Sequence, residues 1–177
     1  MLVRPEPYSL PARSLHWIAA IAIVTTFFIG LAMLRVAAGP TQNRIFGLHE
    51  SLGATVLALT ALRLLWRAWR RPPPPPATTP GWMRASALSS HLALYALLLT
   101  QPVIGWLGAS SFGAVVNVFG LFDLPVLLPT DKGVAAVLFQ IHTYGAFTRA
   151  GMVTVHVGAA LYHLVVRRDG VFQRMIG

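Results

Sequence analysis

The sequence predicts an all-α fold, an integral-membrane four-helix bundle of up-down topology with both termini in the cytoplasm. Three observations carry this. Of 177 residues 55% are hydrophobic and only 11% charged, whereas roughly a quarter of a soluble domain's residues are charged. Between Arg13 and Arg35 lie 21 residues whose only ionisable side chain is His16, about the length that crosses a bilayer as a helix, and three similar segments follow. Finally, ten of the fourteen basic residues fall at one side of those segments: Arg4, Arg13, Arg63, Arg67, Arg70, Arg71, Arg84, Arg167, Arg168 and Arg174, against Arg35, Arg44 and Lys132 at the other. The positive-inside rule then puts both termini in the cytoplasm.

Helix 1, about residues 10–34, starts where Ser9 stands as a cap and Pro11 suits a first turn, and Gly39-Pro40 breaks the chain beyond it. Without a small-residue cleavage site this segment reads as a retained span, not a signal peptide. Helix 2, about 46–69, ends at the run Pro72 to Pro76, a stiff polyproline II spacer to helix 3. Arg63 and Arg67 should snorkel to the headgroups beside Trp66 and Trp69. Glu50 should charge the start of helix 2, where a carboxylate opposes the helix dipole. Helix 3 spans about 86–107 and helix 4 about 133–168. Between them, Gly108 to Lys132 is too broken to span and too apolar for an exposed loop, which predicts an interfacial cap over the outer mouth. The whole chain, 1–177, forms one domain.

Zero cysteines excludes disulfides, iron–sulfur clusters and thioether-attached haem. The net charge of +9 does not indicate nucleic acid, because the basic residues lie at helix ends rather than in a patch interleaved with aromatics.

Six histidines inside or at the mouths of apolar segments remain to be explained, since an ionisable side chain in a membrane helix is by default functional. His142, His156 and His163 follow at spacings of fourteen and seven, and a heptad drifts only about 20° around a helix, so all three share a stripe. At 1.5 Å per residue, His142 and His156 are separated by about 21 Å along the axis, one toward each membrane face. His49 is level with His142. His16 and His91 enter from the cytoplasmic side, where His156 or His163 could face either, and depth alone slightly favours His163 for His16. Two imidazoles do not complete zinc's usual shell. A porphyrin supplies four nitrogens and needs only two axial groups, so the pattern predicts b-type haem, and two axial histidines leave the iron to electron transfer.

Arg149 lies midway on the same stripe, where a small or apolar residue is expected. Either it bonds a haem propionate or a backbone carbonyl and raises the potential of the nearby haem, or the helix is displaced and it reaches water. An unpaired buried guanidinium is costly.

The motifs Arg-Ser-Leu-His-Trp at 13–17, Leu-His-Glu-Ser-Leu-Gly at 48–53, His-Leu-Ala-Leu-Tyr at 91–95 and His-Val-Gly-Ala-Ala-Leu-Tyr-His at 156–163 occur in an order that resembles the bacterial cytochrome b561 family over nearly the whole chain. The resemblance implies a multi-pass di-haem protein of the bacterial inner membrane in which His16 and His156 hold the cytoplasmic-side haem b, and His49 and His142 the outer one. His91 and His163, with Ser90, are then free to serve a quinone site. It also implies electron transfer between a reductant and ubiquinone, and one branch of the family oxidises superoxide. Arg35, Arg44 and Lys132 would steer that anion. No residue is singled out as catalytic beyond the ligands. The competing readings are an electron-transfer subunit serving a periplasmic dehydrogenase or hydrogenase docked on Gly108 to Lys132, and a haem-free proton or metal transporter, which the lack of interrupted-helix repeats disfavours.

Overall fold

A computed structural model describes residues 6–76 and 78–177; Arg4, one of the charges expected on the cytoplasmic side, lies outside them. Four long helices form the molecule: α1 Leu10–Met33, α2 Pro40–Trp69, α3 Gly81–Phe112 and α4 Lys132–Tyr162. All four are long and apolar enough to cross a membrane. Between α3 and α4 a small antiparallel hairpin pairs β1 Asn117–Val118 with β2 Phe122–Asp123. A π-helical turn, His163–Arg167, follows α4, and the short α5 Gln173–Ile176 ends the chain. Helices α1 and α2 pack as one antiparallel pair, α3 and α4 as another, with α2 against α3 joining them.

Several ends differ from expectation for local reasons. Helix α2 starts at Pro40, six residues earlier than hydropathy suggests, because proline at the first helical position needs no N–H partner. Glu50 is therefore well inside α2 and cannot serve its start. Ser9 precedes α1 but makes no side-chain cap; its hydroxyl instead accepts a hydrogen bond from Trp66 Nε1 at 3.1 Å. Helix α3 runs on to Phe112, through Pro102, and stops at Gly113, whose φ of 90° is the left-handed closure glycine supplies cheaply. Helix α4 is capped by Asp131, whose carboxylate accepts from the Gly133 and Val134 amides at 2.8 and 3.1 Å. Its far end loosens into the π turn at His163 rather than continuing as α-helix to Arg168, where φ is 50°.

The helices share a three-level register in steps of seven residues. His16, Ile23 and Gly30 mark α1; Arg63, Val56 and His49 mark α2; His91, Leu98 and Gly105 mark α3; His156, Arg149 and His142 mark α4. A heptad nearly closes two helical turns, so each set lies on one stripe. The middle level is the apolar core, Ala19, Ala22, Ile23, Val56 and Leu98 packed with Leu59. It separates a polar level toward the α1–α2 connection from one toward the chain termini. At the termini, the Tyr8 amide donates to the Arg174 carbonyl and Trp17 Nε1 to the Met175 carbonyl, both at 3.0 Å.

The segment 113–131 is tied to the bundle. Its turn is built by Phe119 and Gly120, both at positive φ (52° and 75°). Ser51 of α2, nearly fully buried, accepts from the Phe119 amide at 2.9 Å, and its one proton has the Gly47 carbonyl of its own helix at 2.7 Å and the Asn117 carbonyl at 3.2 Å as acceptors. Ser51→Ala strands that amide, at a cost of about 1–3 kcal/mol. Amide exchange at Phe119 should rise while exchange in mid-α1 stays as in the parent; equal protection of Phe119 in both proteins would show that the hairpin stands without this tie.

Candidate haem sites

At the level toward the α1–α2 connection, the outer one in the orientation expected from the charges at the helix ends, His49 of α2 faces His142 of α4, ring centroids 6.0 Å apart and planes at 85°. His49 Nδ1 is 3.1 Å from the Thr26 carbonyl and His142 Nδ1 2.9 Å from the Gln101 carbonyl. A carbonyl only accepts, so each Nδ1 carries the proton and each Nε2 keeps its lone pair. This is the arrangement in which a backbone acceptor fixes tautomer and orientation of a metal-binding imidazole. Glycines make room for both rings: a Cβ on Gly30 of α1 would lie 2.9 Å from His49 Cε1, and one on Gly105 of α3 3.0 Å from His142 Cε1. A cavity of about 1210 Å³ opens beside them, lined by both histidines and by Phe27, Phe147, Glu50 and Arg149.

The residues fit a haem here. A metal–imidazole bond of about 2 Å on each side, together with the ring radii, accounts for centroids about this far apart, and the cavity is large and mostly apolar. Arg149, 5% exposed and without an ion-pair partner among the described residues, places a cation in the same cavity, which suits an anionic prosthetic group. Among the described residues no three His, Asp or Glu side chains converge as a site for a bare metal ion.

At the inner level two imidazole pairs share one member. His156 stands between His16, at 6.2 Å between centroids, and His91, at 5.6 Å. Arg63 does not snorkel outward as its position near the end of α2 suggested. It turns into the bundle, with Nη2 3.0 Å from His16 Nδ1 and its guanidinium 5.5 Å from the Tyr95 ring centre. Guanidinium only donates, so His16 Nδ1 accepts and the proton sits on Nε2. His16 can offer Nε2 to iron only if Arg63 releases this bond. The outer pair is preset for ligation; the inner trio requires one rearrangement.

The remaining predicted residues lie apart. His163 is turned to Asp169, Nδ1 to Oδ2 2.8 Å, and Arg167 Nε meets the same oxygen at 2.9 Å. Burial pushes the Asp169 carboxyl up, but hydrogen bonds from His163, Arg167 and the Val171 amide and the nearby His163 charge outweigh it and leave the carboxyl below its ordinary value. Ser90 bonds its own helix at Ala87. Of the proposed steering cations, Arg44 borders the outer cavity, Arg35 is exposed past the end of α1, and Lys132 is bound to the Phe112 carbonyl and lies over that ring. Sequence reasoning missed Gly30, Gly105 and the inward Arg63. The two glycines were detectable as glycines in the interior of apolar helices, which call for a packing reason.

Facing histidines inside a four-helix membrane bundle define a membrane protein of haem b electron transfer. The chain belongs to the prokaryotic cytochrome b561 family, whose model matches residues 7–177. It is similar to cytochrome b561 homolog 2 of Escherichia coli (strain K12), 30% identical over 174 residues, 98% of this chain and 93% of that one. It is also similar to cytochrome b561 homolog 1 of the same organism, 27% identical over 166 residues, 92% of each.

Gly30→Ala and Gly105→Ala should each lower bound haem, read as haem per polypeptide in purified protein. Gly158→Ala, where an added Cβ meets nothing within 4 Å, should keep the parent's content. Full pigment in both Gly30→Ala and Gly105→Ala would remove the role given to these clearances.

Proposed function

We propose that this chain is a di-haem membrane oxidoreductase that moves electrons from a donor on the outer side, superoxide, to ubiquinone, with both termini in the cytoplasm. One observation carries the reading: two pairs of facing imidazoles at opposite ends of one bundle, at 6.0 and 6.2 Å. His49 and His142 hold the outer haem; His16 and His156 hold the inner one. When bound, each haem would supply a one-electron centre between these histidines.

The protein's own groups do the rest. The Thr26 and Gln101 carbonyls orient the outer ligands. Arg44 at the cavity mouth, with Arg35 and Lys132, gives the outer face a positive field that raises the encounter rate with an anion. Two superoxide anions yield two dioxygen molecules and two electrons; ubiquinone takes those electrons with two protons. His91, beside His156, and His163, paired with Asp169, are the groups at the inner end able to bond a quinone oxygen or deliver protons, with Ser90 adjacent in sequence.

The exposed apolar side chains of the outer segment, Phe119, Leu121, Phe122 and Val126, favour a second reading, an electron-transfer subunit docking a periplasmic dehydrogenase or hydrogenase. Superoxide supplied to purified protein with a short-chain ubiquinone separates the two: quinol formation at a rate that falls with added salt supports the first, and no quinol favours the second.

His49→Ala and His142→Ala should each remove one haem of two, as should His16→Ala and His156→Ala, while His91→Ala keeps both and slows only quinone reduction. Loss of a haem in His91→Ala with retention in His16→Ala would reassign the inner ligand.

A further inference from the structure

Arg149 occupies the middle level of α4, where the other three helices place Ile23, Val56 and Leu98. It is 5% exposed. Among the described residues it makes no side-chain hydrogen bond and no ion pair, although Glu50 lines the same cavity. On its other flank is an apolar recess of about 180 Å³ formed with Ile23, Val24, Phe27, Phe28 and Val153. A permanent positive charge is therefore held in low-dielectric surroundings, where screening is weak. Along α4 it is seven residues, about 10 Å, from both His142 and His156, but the cavity it lines holds His49 and His142 and none of the inner histidines.

We propose that the Arg149 guanidinium sets the reduction potential of the outer haem, holding it above the value the same ligands would give without the charge. Uptake of one electron at the iron lowers the local charge by one, and a fixed cation nearby stabilises that product. The bundle then favours filling the outer haem from the donor. The charge needs no protein counter-ion if the haem's own anionic groups offset it. This rests on the reading that His49 and His142 hold a haem.

The test is a redox titration, followed by visible absorption, of purified haem-loaded protein in lipid nanodiscs. The outer transition is assigned by its absence from His49→Ala. Arg149→Leu and Arg149→Gln should shift the outer midpoint downward and move the inner one less; Arg149→Lys, which keeps the charge, should hold it near the parent. Should Leu fail to load, Gln and Lys decide. An unchanged outer midpoint in a fully loaded neutral variant overturns the proposal, as does an equal fall in Lys, or loss of the outer haem from Lys, Gln and Leu alike, which assigns Arg149 to assembly. A colourless parent protein would instead remove the haem reading itself.

Discussion

Two imidazoles, each donating Nδ1–H to a main-chain carbonyl on a neighbouring helix, tie the four helices into two pairs whose rings face each other. His49 of α2 reaches the Thr26 carbonyl of α1, and His142 of α4 reaches the Gln101 carbonyl of α3. Each bond crosses within a helix pair, α1 with α2 and α3 with α4, and turns a lone pair toward the opposite pair. Main-chain acceptors are well suited to this, because a carbonyl in a helix cannot rotate away or titrate. They also need close backbone approach, and Gly30 and Gly105 provide it within the same two neighbouring helices.

The inner level is built differently. His156 meets His16 and His91 together, and Arg63 supplies a donor to His16 where the outer rings have an acceptor. A histidine held by a donor is not preset for iron. The contrast gives the ends different chemistry: a ligand pair of settled tautomer outside, and a cluster with proton-bearing and cationic members inside. Such a cluster suits a reaction that consumes protons as well as electrons. The His163–Asp169–Arg167 group beyond it sits where α4 becomes a π turn, and single π turns in helices recur at functional sites.

Between the levels the core is thin, a few aliphatic side chains from three helices with Arg149 from the fourth. Thin cores suit membrane bundles, whose outward faces are already satisfied by lipid. Here the thin core also leaves the cavity of about 1210 Å³ beside His49 and His142, which in a soluble protein would be a serious loss of packing. At the outer end the cavity is bordered by the hairpin segment fastened through Ser51.

The amino-acid sequence alone determines the medium, the number of spans, the histidine stripe of α4 and the separation of its two levels, because hydropathy, charge at helix ends and a seven-residue repeat act along one chain. Tertiary structure alone decides which imidazoles from different helices meet, since rotation and depth of one helix against another are set by side-chain contacts. Thus depth counting leaned toward His163 as the partner of His16, whereas packing brings His156 to it and turns His163 to Asp169. Arg63 was read as an interfacial anchor by its place in the chain and is drawn inward by His16 and Tyr95. The tautomers of His49 and His142 were beyond linear reading for the same reason, as their acceptors are carbonyls 23 and 41 residues away, and every residue type carries a carbonyl.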